Sequence, residues 1–146
     1  MTTADAFDDL LTIQLWATLV AFERALADEL QPMGLSVAAF RLVGEVMKAP
    51  EGLRQGELAD RLAIRPPSVS AAVDRLVDAG VVERVPDPDD ARARRVRIAE
   101  GASLQMGAEA LMRLETRLLD GLDVDDIHQT KNTLRQLLQR LQETSP

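Results

Sequence analysis

The sequence predicts a mainly helical protein carrying one small β-hairpin, on three observations. Apolar residues recur at steps of three and four through most of the chain, the signature of helices with one buried face. The period drops to two only at Val81–Val85 and at Arg95-Val96-Arg97-Ile98. Between those runs, Pro86-Asp87-Pro88-Asp89-Asp90-Ala91-Arg92 has the composition of a hairpin link with a protruding loop.

Each element follows from local chemistry. Residues 6–31 read as one long helix, with Phe7, Leu11, Leu15, Leu19, Phe22, Leu26 and Leu30 on one stripe. Leu10, Ile13, Ala17, Val20 and Ala21 widen that stripe beyond a single face, so the helix needs cover from a second side, which in a small chain is often another subunit. Pro32 and Gly34 close it. Ser36 caps a helix from Val37 to about Met47, stopped by Pro50 and Gly52. A short helix follows over Gln55–Leu62, then a turn at Ala63-Ile64-Arg65. Pro66 and Pro67 open the next helix, where a missing N–H costs nothing, and Gly80 ends it. Two strands alone are marginal in water, so the hairpin must lean on the preceding helices. A long helix returns from Glu100 to about Leu119, with Leu104, Ala108, Leu111, Leu114 and Leu118 inward. Gly121 breaks it, and Asp123 caps a last helix carrying Ile127, Leu134, Leu137, Leu138 and Leu141.

Composition narrows the function. The 146 residues suffice for one real core, 46% being hydrophobic and 28% charged. No apolar run reaches the roughly 18 residues of a membrane span, and the acidic opening lacks the basic flank of an export signal, so the expected location is the cytoplasm. Cysteine is absent, which removes disulfides, thiolate metal sites and thiol nucleophiles. His128 is the one histidine and reads as a surface residue. No paired carboxylates, Gly-rich phosphate loop or metal-ligand cluster supports an enzyme, and no cofactor is expected. Asp87, Asp89 and Asp90 lack the glycine and closing glutamate of a calcium loop. Asp123, Asp125 and Asp126 read as capping acids at a helix start.

The net charge of −7 disfavours a polyanionic partner until its distribution is read. Residues 1–53 carry −5 and residues 98–146 carry −3, but residues 54–97 carry +1, and all nine positive residues there are arginine. Four of them fall within six positions: Arg92, Arg94, Arg95 and Arg97.

The stretch Gln55–Gly80 has the form of a helix-turn-helix, with small Ala59 where the helices must approach. A B-DNA major groove about 12 Å wide accepts one helix, whose N-terminal half meets the base edges. Here that half offers Arg65, Pro67, Ser68, Ser70 and Ala71, with Arg75 one turn later on the same face; the helix N-terminus itself favours a phosphate. The arginine-rich ribbon that follows has the layout of a wing, which inserts arginine into the adjacent minor groove. Asp90 stands two residues before Arg92, where it can pair with an arginine and shape the tip. The competing readings are a solvated helical surface and an edge charged against strand aggregation.

The runs Gly56-Glu57-Leu58-Ala59-Asp60-Arg61-Leu62, Ser68-Val69-Ser70, Val73 through Arg84, and Asp87 through Arg92 leading into Val96-Arg97-Ile98 together resemble the MarR family (multiple antibiotic resistance regulators). The resemblance extends to the flanking long helices and implies a homodimeric winged-helix transcription factor with a palindromic operator. It also implies release by a small, often aromatic, effector. It puts the base-reading positions on Pro67, Ser68, Ser70 and Ala71, the phosphate and wing contacts on Arg75, Arg92 and Arg94, and the wing-shaping acid on Asp90. Ala71 and Ala91 depart from the family pattern, standing where many relatives carry longer polar or basic side chains.

The expected organisation is therefore a winged helix-turn-helix DNA-binding domain over 35–99, with 1–34 and 100–146 as a helical dimerisation region. Trp16, Phe40 and Arg41 are the candidate pocket for an aromatic carboxylate, although core packing explains the two aromatics as well. The expected partners are double-stranded DNA, a second copy of the chain and a small aromatic effector. The alternative is a helical ligand-binding or protein-interaction module that keeps the fold without binding DNA.

Overall fold

The computed structural model describes residues 3–144. Residues 1–2 of the acidic opening and 145–146, at the ends of the expected dimerisation region, lie outside the described residues. The chain forms two compact units, 1–111 and 112–146.

In the first unit, the expected single helix over 6–31 is two: α1, Thr3–Asp8, and α2, Leu11–Leu30. Asp8 and Asp9 are weak helix formers, and Leu10 turns to extended backbone at φ −65° and ψ 129°. The Gln14 side-chain amide then caps the Asp8 carbonyl at 2.8 Å. Proline and glycine end α2 as expected, through a 3₁₀ turn at Gln31–Met33 and left-handed Gly34. α3 covers Val37–Met47, and the Ser36 hydroxyl accepts the Ala39 N–H at 3.1 Å. α4 is Gln55–Leu62, and α5 is Pro66–Asp78 with its two prolines in the first turn.

A two-residue strand that periodicity could not reveal, β1 at Leu53–Arg54, precedes α4. The hairpin consists of β2, Val82–Pro86, and β3, Arg94–Ile98. The sheet is antiparallel in the order β1-β3-β2, so the arginine-rich strand is central. Gly52 makes that pairing possible. Its φ is +84°, and a Cβ there would lie 3.0 Å from the Val96 carbonyl oxygen and 3.1 Å from Arg95 Cβ.

One core joins these elements. Leu42 and Val46 of α3, Leu58 of α4, and Val69, Val73 and Leu76 of α5 pack with Leu53, Val82 and Val96 of the sheet. This is how the hairpin acquires the support it needs. α2 contributes buried Leu26 and Leu30, while Leu11, Leu15, Trp16 and Leu19 on its earlier turns stay exposed.

The last two helices are α6, Gln105–Leu119, in which the division between the units falls, and α7, Val124–Thr144. α6 begins five residues later than expected, because Glu100-Gly101 forms a turn with left-handed Gly101. Its inward face also differs. Ala110 and Leu114 are buried and Leu111 half-buried, whereas Ala108 and Leu118 are exposed. In the second unit, Asp123 caps α7 through the Asp125 N–H at 2.8 Å. Leu134, Leu138 and Leu141 remain exposed along α7.

Candidate nucleic-acid interface

Ala59 of α4 is 6% exposed, in the core that α4 shares with α5, and the turn between the two helices places the start of α5 at the surface. Arg65, Pro67, Ser68, Ala71 and Arg75 are exposed, while Ser70 is half-buried. The opposite face, Val69, Ala72, Val73 and Leu76, is anchored in the core, so the polar side cannot roll inward. The start of α5 is poorer in donors than expected. Pro66 and Pro67 have no N–H, and the Ser68 N–H bonds the Arg65 carbonyl at 2.9 Å. Attraction for a phosphate there falls to the helix dipole and to the Arg65 and Ser68 side chains.

The wing is built around a residue that sequence reasoning set aside. Asp87 is 4% exposed, and its Oδ2 accepts Arg54 Nε at 2.6 Å and Arg95 Nε at 2.9 Å, while Oδ1 accepts the Asp89 N–H at 2.8 Å. Arg54 and Arg95 stand opposite each other across β1 and β3, an arrangement of like charges that destabilises a sheet unless a carboxylate lies between them. The hydrogen bond from Arg54, then that from Arg95, holds the Asp87 carboxyl well below the usual carboxylate range, against the opposing effect of burial. The same bonds raise both guanidinium pKa values.

Of the two roles foreseen for Asp90, shaping the tip and pairing with an arginine, the pairing is corrected. Its carboxylate pairs with no arginine side chain among the described residues. Instead Oδ1 accepts the Arg92 N–H at 3.0 Å, and its carbonyl accepts the Ala93 N–H at 2.9 Å, closing the tip as a tight turn. Arginine pairing is the work of Asp87. Arg95, expected among the DNA contacts, is half-buried and turned to Asp87 and Asp89.

The nine arginines of 54–97 thus divide. Arg54 and Arg95 serve Asp87, Arg61 faces Glu45, Arg84 pairs with Asp74 of α5, and Arg97 pairs with Glu83 across the hairpin. Among the described residues Arg65, Arg75, Arg92 and Arg94 form no ion pair, and all four are exposed. Two lie on α5 and two on the wing. The fold thus neutralises five of the nine with its own carboxylates and leaves four exposed without ion pairs.

Residues 33–93 match the model described as the MarR family. The MarR fold also describes the chain more widely. It resembles the MarR apo form from E. coli at 23% identity and TM-score 0.75, covering 88% of this chain and 97% of that one. A MarR transcriptional regulator from Methanosarcina mazei gives 19% identity and TM-score 0.75, covering 90% and 99%. CouR from Rhodococcus jostii bound to p-coumaroyl-CoA gives 23% identity and TM-score 0.68, covering 89% and 92%.

The candidate pocket residues do not converge. Phe40 and Arg41 line a cavity of about 440 Å³ with Phe22, Leu26, Val37 and Leu111, among others. Trp16 is 68% exposed and lines a separate apolar hollow along α2 with Ile13, Val20 and Arg24. Arg41 also donates from Nη2 to the Leu62 carbonyl at 3.2 Å. No helix among the described residues is long and apolar enough to cross a membrane.

Proposed function

We propose that this chain is a sequence-specific DNA-binding transcriptional regulator, a repressor that binds a palindromic operator as a homodimer and is released by a small aromatic effector. The observation that carries the reading is the set of four exposed arginines without ion pairs, Arg65, Arg75, Arg92 and Arg94, on the helix and wing that the MarR fold presents. α5 enters the major groove with Pro67, Ser68, Ser70 and Ala71 toward the bases. Arg65 and Arg75 bind phosphate beside it, and Arg92 and Arg94 grip the neighbouring minor groove. Arg95 supports the wing from behind. Residues 35–99 form the DNA-binding domain, and 1–34 with 100–146 form the dimerisation region. The exposed leucines of α2 and α7 support that assignment, since monomers rarely leave such apolar faces uncovered. A two-fold dimer brings its recognition helices to major grooves about 34 Å apart.

The effector site is the cavity of Phe40 and Arg41, large enough for one aromatic molecule. A relative of similar fold, CouR, is seen with p-coumaroyl-CoA, which supports a ligand of aromatic chemistry. Such a regulator works in the cytoplasm, beside the DNA. The rival reading, a helical module without DNA binding, draws on one feature: exposed Ala71 offers no hydrogen bond in the middle of the reading face. Selection from a random duplex library with the full chain, followed by footprinting, tests the choice. The regulator reading expects a palindromic consensus and salt-sensitive retention. Absence of retention at low salt overturns it.

A further inference from the structure

We propose that Pro67 and Ala71 form an apolar strip that reads thymine through its C5-methyl group, so that each operator half-site carries two thymines under α5. The proposal rests on the regulator reading above and adds the base that the helix selects. The exposed residues of α5 up to its third turn are Pro66, Pro67, Ser68, Ala71, Asp74 and Arg75. Each base edge in the major groove calls for its own reader. A guanidinium or ammonium suits guanine, a carboxamide adenine, a carboxylate cytosine, and an apolar carbon the thymine methyl. α5 contains no asparagine, glutamine or lysine, so adenine has no bidentate reader on it. The carboxylate of Asp74 is held by Arg84 of β2, which draws it away from cytosine and screens it from phosphate. Arg75 lies at the far end of this stretch, on phosphate in the regulator reading. A serine hydroxyl bonds donors and acceptors alike and so discriminates little. What remains in the middle of the face is carbon.

Pro67 and Ala71 stand four residues apart in one helix and therefore share a stripe. Four residues advance a helix by about 6 Å, whereas base pairs stack about 3.4 Å apart. The two side chains thus meet methyl groups within two base steps of each other. Neither side chain has rotamer freedom to lose on contact. Behind the strip Val69, Ala72 and Val73 are buried in the core, which fixes how far it projects from the domain. Removing one methyl group from water is worth about fourfold in affinity. The lack of a hydrogen bond at Ala71, which favours the rival reading, is on this account the selective feature.

The test uses the full chain and the consensus duplex that it selects, with uracil replacing thymine at one position at a time. Uracil removes the methyl group and leaves the hydrogen-bonding edge intact. At two thymines of each half-site, where footprinting shows the major groove covered, each uracil is expected to weaken binding about fourfold. The salt slope is expected to stay as it was, because no phosphate contact is lost. Uracil beneath the wing is expected to cost nothing, since the methyl group lies in the major groove. At the two sensitive positions, 5-methylcytosine paired with guanine is expected to bind about fourfold more tightly than cytosine. Ala71→Gly is expected to abolish the preference for thymine over uracil at one of the two positions and to keep it at the other. A consensus without thymine under α5 overturns the thymine strip and leaves the regulator reading in place. So does a native chain that binds uracil duplexes as tightly as thymine duplexes. An Ala71→Gly chain that still prefers thymine at both positions removes Ala71 from the strip. A native chain that retains no duplex at low salt overturns the regulator reading, and the strip with it.

Discussion

Asp87 sits where two arginines would otherwise repel each other, and its charge ties the wing to β1 beside the strand pairing. Its carboxyl is shifted down from an ordinary 3.8. The stability it contributes is therefore complete above that value and lost as pH falls through the depressed native pKa. Asp87→Asn should lower the melting temperature at neutral pH, and the gap from the native protein should close in strong acid. A pH series of thermal melts checks both. Gly52→Ala is a second single-residue test. The left-handed backbone and the close Val96 carbonyl should together cost about 1–3 kcal/mol, read from denaturant unfolding. Neither residue stands out in the sequence. Gly52 reads as a helix stop, and Asp87 as one of three turn acids.

At the scale of elements, the helices were legible because caps and periodicity are local. Ser36, the double proline, Gly80 and Asp123 act within a few residues of where they stand. Periodicity is ambiguous where a pattern has two solutions or too few residues. α6 carries two overlapping apolar stripes, and packing selected the one through Ala110 and Leu114. β1 is too short to alternate. The candidate site was legible as a list of arginines but not as a division of labour among them. That division yields a prediction: Arg92→Glu and Arg94→Glu should weaken binding to every duplex and lower the salt slope by about one for each phosphate no longer neutralised. Ser70→Ala should instead reorder which duplexes are preferred. Gel-shift titrations over several salt concentrations separate the two classes of effect. A third case, Arg95→Ala, should lower the melting temperature, because it removes a partner of a buried carboxylate.

For the molecule as a whole, net charge and the proposed function pull in opposite directions. The chain carries −7, so in the proposed regulator approach to DNA gains nothing from the long-range field, and affinity would come from arginines at the surface of contact. With about six to ten phosphate contacts per dimer, binding should fall roughly 10³–10⁵-fold between about 50 and 200 mM salt, measured by fluorescence anisotropy. The exposed faces of α2 and α7 make a further prediction. Leu15→Lys with Leu138→Glu should shift the chain toward monomer in sedimentation velocity and remove high-affinity operator binding.

What the amino-acid sequence determined by itself was the order of helices, the hairpin and the basic stretch within an acidic chain. Those follow from caps, breakers and periodicities whose partners lie within one or two turns. Only the tertiary structure decided which charges are spent. Arg54 and Asp87 are 33 positions apart, and Arg41 and Leu62 are 21 apart. Such distant groups bond only once the α3–α4–α5 core has brought the strands and helix ends together.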